Sequence, residues 1–286
     1  MIVGRRKLTE EDFHRALDEV LGPEDEVFIV FSGIYTFAHL FEWPPQDTPD
    51  RLLDVFESFA SNGRTLVVPA YYLGFARTRL FDPRRTLTDI GMLPDCAVQR
   101  EKLNRLDKPM NSYMVAGAKA EEILRLPCTT AWGEDGVMAW LVRNKAKVMT
   151  LGVPWHESCS LYHYAEELLK VPYRYHKRFV GELRRDGVPS GTCEEVMFSR
   201  SAKVPVEWDH EKVYPRLLDA NVVVPGGYGG IPLEAALASD IAAVTCDMLD
   251  ANPYAYVTNY DEVKAWVDHE KEIEMSSLTD EETFKG

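Results

Sequence analysis

Two residues three apart, His163 and Glu166, are the pair in this chain best suited to moving a proton. Side chains at that spacing are neighbours on one face of a helix. A carboxylate beside an imidazole raises its basicity and steadies the imidazolium formed when the ring takes a proton. The spacing alone fits an ordinary solvated helix pair equally well. Cys159, four residues before His163, is the other reactive type nearby, a thiol that an ideally placed imidazole can activate. The run Val224 to Pro232 (VPGGYGGIP) contains Gly-x-Gly, but Pro232 stands where a dinucleotide loop has its third glycine. The helix read after it, to about Ser239, is too short for the usual crossover, so a tight turn is the better reading. Neither Gly-x-Ser-x-Gly nor His-Glu-x-x-His occurs, and Cys96, Cys128, Cys159, Cys193 and Cys246 form no Cys-x-x-Cys pair. These absences weigh against serine, cysteine and metal hydrolases, and no metal is expected.

The elements that must position the pair follow from hydrophobic pattern. Lys147 to Val153 (KVMTLGV) reads as a buried strand leading to a turn at Gly152 and Pro154, with the helix that carries His163 starting near Ser158. Val27 to Phe31, Thr65 to Pro69 and Asn221 to Val224 read as further buried strands. Leu8 to Leu21 has helical spacing opened by Thr9, and a second helix runs from Thr48-Pro49 through Phe59 to a stop at Asn62-Gly63. Alternation of this kind predicts an α/β fold, a central and mostly buried sheet flanked by helices, with ligands near strand ends. Ala70 to Met110 is rich in turn residues and charges, the composition of a binding loop or lid. Val171 to Pro205 alternates polar and apolar residues and predicts β-hairpins, with Gly181 and Gly187 as turns. The acidic stretch Lys271 to Gly286 reads as a loose tail. No linker is evident, and one domain over residues 1–286 is expected.

Composition bounds the partners. At 286 residues, 45% hydrophobic and 27% charged, the chain has ample material for a large core. No stretch approaches the roughly 20 apolar residues of a membrane span. The start, MIVGRRKLTEEDF, lacks the apolar region of a secretory signal, so a cytoplasmic protein is expected. A net charge of -14 repels nucleic acid and anionic membranes. It suits a cationic small molecule, although solubility explains it as well.

Four stretches, in order, resemble the aminoglycoside 3-N-acetyltransferase family, which includes N-acyltransferases of nucleotide-linked amino sugars and antibiotic precursors. They are Val30-Phe31-Ser32-Gly33, Asn62 to Pro69 (NGRTLVVP), Phe81-Asp82-Pro83 with Gly91 to Pro94 (GMLP), and Leu151-Gly152-Val153 with Leu161 to Glu166 (LYHYAE). The similarity spans about residues 8 to 250. It implies an acetyl-CoA or other acyl-CoA co-substrate, a small-molecule amine acceptor, His163 as general base and Glu166 as its partner. Ser32 and Gly33 follow a strand, where loop amides suit the donor's pantetheine or a phosphate and a simple turn fits equally. Lys108 and Ser112 are further candidates near the donor, Ser112 being able to bond either substrate. Asn111, His156, Glu157 and Ser160 are placed near the acceptor, with Ser160 also a candidate donor to a developing oxyanion. The chain departs from the family where Lys108 replaces the histidine of His-Pro-x-x-Ser, where Gly136-Val137 replaces Ser-Pro, and where Ala70 replaces threonine after the second strand. These departures point to an amino sugar, free or nucleotide-linked, ahead of an aminoglycoside. Lys108 suits a phosphate or is an ordinary solvated lysine. A non-catalytic relative that binds a CoA-like ligand is the rival reading, and the oligomeric state stays open between monomer and homodimer.

Overall fold

The computed structural model describes residues 6–200 and 206–269. The acidic stretch from Lys271 and the last residues of the expected hairpin segment, 201–205, lie outside the described residues. Helix α1 (Glu10–Val20) starts where the spacing predicts: Thr9 Oγ1 accepts from the Asp12 amide, and the Asp12 carboxylate accepts from the Thr9 amide at 2.9 Å, a reciprocal cap. Phe13, Ala16, Leu17 and Val20 form its buried stripe. Strand β1 (Val27–Ser32), α2 (Thr48–Ser61) and β2 (Thr65–Pro69) follow, α2 closing at Asn62 ahead of Gly63 at φ +87°.

The long segment after Pro69 is more structured than its composition predicts. It carries α3 (Phe75–Thr78), β3 (Leu80–Phe81), α4 (Met92–Val98) and β4 (Asn104–Arg105), before β5 (Tyr113–Gly117). Next come α5 (Ala120–Leu124), α6 (Val137–Arg143), β6 (Lys147–Leu151), α7 (Trp155–Ser158) and α8 (Leu161–Leu168). The chain continues through β7 (Arg174–Arg185), β8 (Val188–Arg200), α9 (Val213–Asp219), β9 (Val224–Pro225), β10 (Leu233–Leu237), α10 (Ala238–Ala251) and α11 (Tyr260–His269).

Seven strands form one mixed sheet in the order β4-β5-β2-β1-β6-β10-β9, with β1 parallel to β2 and β6 at its centre. Successive residues of β1 point to opposite cores. Phe28 and Val30 meet α1, α2 and α4, while Val27, Ile29 and Phe31 meet α6, α8 and α10. Helices on both faces explain why these strands read as unbroken apolar runs. No described helix is long and apolar enough to cross a membrane.

Three expectations need correction. Residues 233–237 (LEAAL), read as helix, form β10, antiparallel to β6; the vacant edge of a buried strand overrides the helical propensity of Leu, Glu and Ala. The strand expected at Asn221 to Val224 is only Val224–Pro225, because Asn221 sits at φ +54° and the pairing with β10 begins at Val224. The hairpin segment is one long ribbon, β7 with β8, turning at Asp186 (φ +55°) and Gly187 (φ +86°). Gly181 is no turn. It lies inside β7, where a Cβ would sit 2.4 Å from the Arg79 carbonyl and 2.6 Å from the Phe75 ring. The ribbon takes β3 as a third, parallel strand and lies beside the carboxyl ends of the main sheet's central strands.

Candidate active site

The parallel strands β1, β2 and β6 all end at one place, and a cavity of about 1010 Å³ opens there. Ser32 and Pro69 line it from the ends of β1 and β2, and Val153 from just beyond β6. Two glycines let the loops cross this crowded corner. Gly33 gives its amide to the Leu151 carbonyl at 2.8 Å, and a Cβ on it would lie 2.6 Å from the Gly152 carbonyl. Gly152 sits at φ +69° with Phe37 where its Cβ would be.

Beyond that corner α7 and α8 carry His156, Glu157, Ser160 and His163 to the cavity wall. His163 Nδ1 lies 2.7 Å from Glu166 Oε2, with the imidazole 29% exposed and Glu166 fully buried. Tyr173 donates its hydroxyl to Glu166 Oε1 at 2.8 Å, and Arg174 Nη2 approaches Oε2 at 2.9 Å. Burial pushes the Glu166 carboxyl up, but Arg174 and the bond to His163 outweigh it and hold the group at about 2. An ionised carboxylate only accepts, so the proton on His163 is assigned to Nδ1 and the lone pair to Nε2. Arg174 Nη2 lies 3.2 Å from Nδ1 as well, a second donor facing the first. Burial and then the Arg174 charge lower the His163 pKa, against the pull of Glu166, so the imidazole is neutral and ready to accept at neutral pH. Trp132 packs on the ring with centroids 4.8 Å apart.

A second imidazole, His210, stands 5.7 Å from His163, ring centre to ring centre. Burial, then His163, push its pKa down to about 4, so it too is neutral. His163, Glu166 and His210 form the one group among the described residues with spacing able to hold a metal ion. Its chemistry disfavours one: the Arg174 guanidinium already occupies the Glu166 oxygen that a cation would need.

Of the residues singled out in the sequence, Ser32, Asn111, His156, Glu157, Ser160 and His163 line the cavity. Glu166 lies behind His163, bonded to its Nδ1. Gly33, Lys108 and Ser112 do not line it. The Gly33 amide is spent on Leu151, and the buried Ser112 hydroxyl accepts from Arg105 Nε at 3.2 Å and donates to the Leu106 carbonyl at 2.7 Å. Lys108 is half-buried, its charge acting on buried Glu195 and Cys128. Asn111 is fixed through its backbone, the Asn111 and Met110 amides both donating to the Glu195 carboxylate. Ser160 Oγ bonds the Tyr71 hydroxyl at 2.8 Å. Cys159 is buried, and burial pushes its thiol up to about 12, which removes it as a nucleophile.

Sequence reasoning missed Arg174, Tyr173, His210, Trp132 and Trp208. No local spacing ties them to His163 in the sequence; the structure alone brings His156, His163 and His210, three of the seven histidines, to one cavity. Seven buried polar atoms on lining residues, Ser32 Oγ, Asn111 Nδ2, Trp132 Nε1, Tyr162 Oη, Arg174 Nε, Trp208 Nε1 and His210 Nε2, have no hydrogen-bond partner among the described residues. Buried polar atoms left unpaired beside a cavity are the mark of a ligand site.

A sequence profile of the aminoglycoside 3-N-acetyltransferase family matches residues 45–249, well over half of the chain. The chain belongs to this family. Family membership makes it an N-acetyltransferase with acetyl-CoA as co-substrate. Solved structures agree on the fold. Aminoglycoside acetyltransferase AAC(3)-IVa, as apoenzyme, is 20% identical with a TM-score of 0.70, covering 92% of this chain and 98% of that one. AAC-IIIb in a binary complex with CoASH is 21% identical with a TM-score of 0.70, covering 86% and 97%. Sisomicin-bound AAC-VIa is 16% identical, with a TM-score of 0.70 and coverage of 86% and 99%. No curated protein sequence matches the chain significantly.

Proposed function

We propose that the chain transfers an acetyl group from acetyl-CoA to a primary amine of a small molecule, with His163 as general base and Glu166 and Arg174 as its support. The whole chain is read as one acyltransferase domain, acting in the cytoplasm. The observation that carries the reading is the base itself. Nδ1 is locked by a buried, ionised carboxylate at 2.7 Å, and Nε2 has no protein partner among the described residues.

An amine is an ammonium ion at neutral pH and attacks only after losing a proton. His163 Nε2 takes that proton, and Glu166 steadies the imidazolium through Nδ1–H. The amine nitrogen then bonds the thioester carbonyl carbon as the C–S bond breaks. Of the two protons the nitrogen sheds, one leaves with CoA as its thiol and one goes to solvent. Acetyl-CoA supplies the acyl group already activated as a thioester. The wall from residues 69–94 (Pro69, Tyr71, Leu73, Ala76, Ile90, Pro94) is mainly apolar and, with the unpartnered Ser32 hydroxyl, fits the pantetheine arm. The indole N–H of Trp132, beside His163, and the Tyr162 hydroxyl are the donors available to negative charge developing on the acyl oxygen.

The relatives of known structure include enzymes bound to aminoglycosides such as sisomicin, which supports an amine on a sugar as acceptor. The test is acetyl-CoA with a panel of amino sugars and aminoglycosides, reading free CoA. His163→Ala should lower kcat by about 100-fold or more with the fold intact. Unchanged turnover in that variant would remove His163 from the mechanism, and no CoA release with any amine would sink the transfer reading.

A further inference from the structure

The charges on the cavity wall narrow the identity of the acceptor. Among the described residues that line the cavity, Glu157 alone carries a carboxylate, and its side chain is 64% exposed. Against it stand the guanidiniums of Arg174, which is paired with Glu166, and Arg200, while the imidazoles of His163 and His210 are neutral and add no charge. The two buried acids nearest the cavity are already engaged. Glu166 accepts from His163, Tyr173 and Arg174, and Glu195 from the amides of Met110 and Asn111. An ammonium taken out of water needs an acidic partner. A polyamine, with several, finds one at the rim. The net charge of -14 draws polycations toward the protein, so the basic wall is a local reversal and not an extension of the surface.

Arg200 ends β8 with its guanidinium 4.8 Å from the Trp208 ring centre. Its remaining contact is a 3.5 Å approach to the Val206 carbonyl, and no carboxylate of the described residues pairs with it. Arg174 covers the same indole at 4.7 Å, and Arg174 also touches Glu166 and His163. Trp208 thus links the base to Arg200. A guanidinium stacked on an indole keeps its N–H edge for a planar or tetrahedral anion.

We propose that the acceptor is an amine that also carries an anionic group, a phosphate or carboxylate, and that Arg200 reads this anion while the amine faces His163. The inference rests on the acetyl-transfer reading above. Initial rates of CoA release at saturating acetyl-CoA compare glucosamine, glucosamine 6-phosphate and kanamycin. Expected is a kcat/KM for the phosphorylated sugar about tenfold or more above glucosamine, with kanamycin lowest. Arg200→Gln should bring the two sugars to within about threefold of each other. Kanamycin as the best acceptor overturns the inference, as does a phosphate preference that survives the substitution. In a second series with acetyl-CoA varied, an effect of Arg200→Gln confined to the KM of acetyl-CoA overturns it too, by assigning Arg200 to the donor's phosphates. Thermal shift with the same three probes in the presence of CoA needs no turnover. Stabilisation by glucosamine 6-phosphate that Arg200→Gln removes upholds the anion contact at Arg200 even where no amine releases CoA, a result that defeats the transfer reading alone. Absence of both turnover and stabilisation overturns both.

Discussion

Replacing Glu166 by Gln tests the proposed base pair at its most informative atom. The substitution keeps shape and leaves the contacts satisfiable: the amide oxygen can accept from His163 Nδ1–H and Arg174, and the amide nitrogen can donate to a turned Tyr173 hydroxyl. What it removes is charge. With an effective dielectric constant near 20, a carboxylate about 4 Å from the imidazolium contributes on the order of 4 kcal/mol. Arg174 beside the same oxygen cancels part of this, leaving roughly 2 to 4 kcal/mol, a fall in kcat/KM of about 30- to 1000-fold. The pH profile carries a second, signed expectation. His163 works as the neutral form, so the rate rises with pH through its pKa, which lies below the ordinary 6.5. Glu166 is the group that holds this pKa up, so removing it moves the acid limb to still lower pH while the plateau drops. The assay is kcat/KM for CoA release against pH, with circular dichroism confirming the fold. A plateau within threefold of the parent, or an acid limb moved to higher pH, would refute the proposed role of Glu166.

Arg174→Met leaves the Glu166 charge buried without its cation, and a loss of about 3 kcal/mol or more of stability is expected in denaturant unfolding. His210, held neutral down to about 4 against an ordinary 6.5, binds its proton more readily in the unfolded chain; stability is therefore full above pH 6.5 and is lost as pH falls toward 4. His210→Phe should flatten the fall in Tm across that window, and an equally steep fall would show that other groups cause it. Glu166, held at about 2 against an ordinary 4.5, contributes about 3 kcal/mol above pH 4.5 that disappears as pH drops toward 2, so Glu166→Gln should lessen acid unfolding there. Cys159→Ala should retain transfer within about threefold and the parent should form no acetyl-enzyme, since a thiol near 12 is not a nucleophile; an acetylated peptide containing Cys159 would reverse this.

Much of the fold is legible in the chain because buried strands and amphipathic helices write their own periodicity. The Thr9 cap, the α2 stop at Asn62-Gly63 and strands β1, β2 and β6 stand where the pattern predicts, give or take two residues. The misreadings share a cause. LEAAL became a strand because β6 had an edge to fill, and Gly181 is required by Phe75 and Arg79, residues about a hundred positions away. Local pattern carries no record of such neighbours. The same limit applies at Gly33 and Ser112, whose residue types suit a ligand but whose hydrogen-bonding groups are used up by Leu151, Arg105 and Leu106.

The sequence by itself determined the helix face that carries His163 and Glu166, since three-residue spacing makes them neighbours whatever surrounds them. It also carried the order of motifs that marks the family. Tertiary structure alone decided what that pair is. Arg174 and Tyr173 arrive from the first residues of the ribbon and its approach, Trp132 from the loop before α6, and His210 from beyond β8. Their combined burial and charge turn an ordinary helical pair into an ionised carboxylate holding a neutral base. The reason is physical: a pKa depends on the groups within a few ångströms in space, and here most of those come from other elements of the fold.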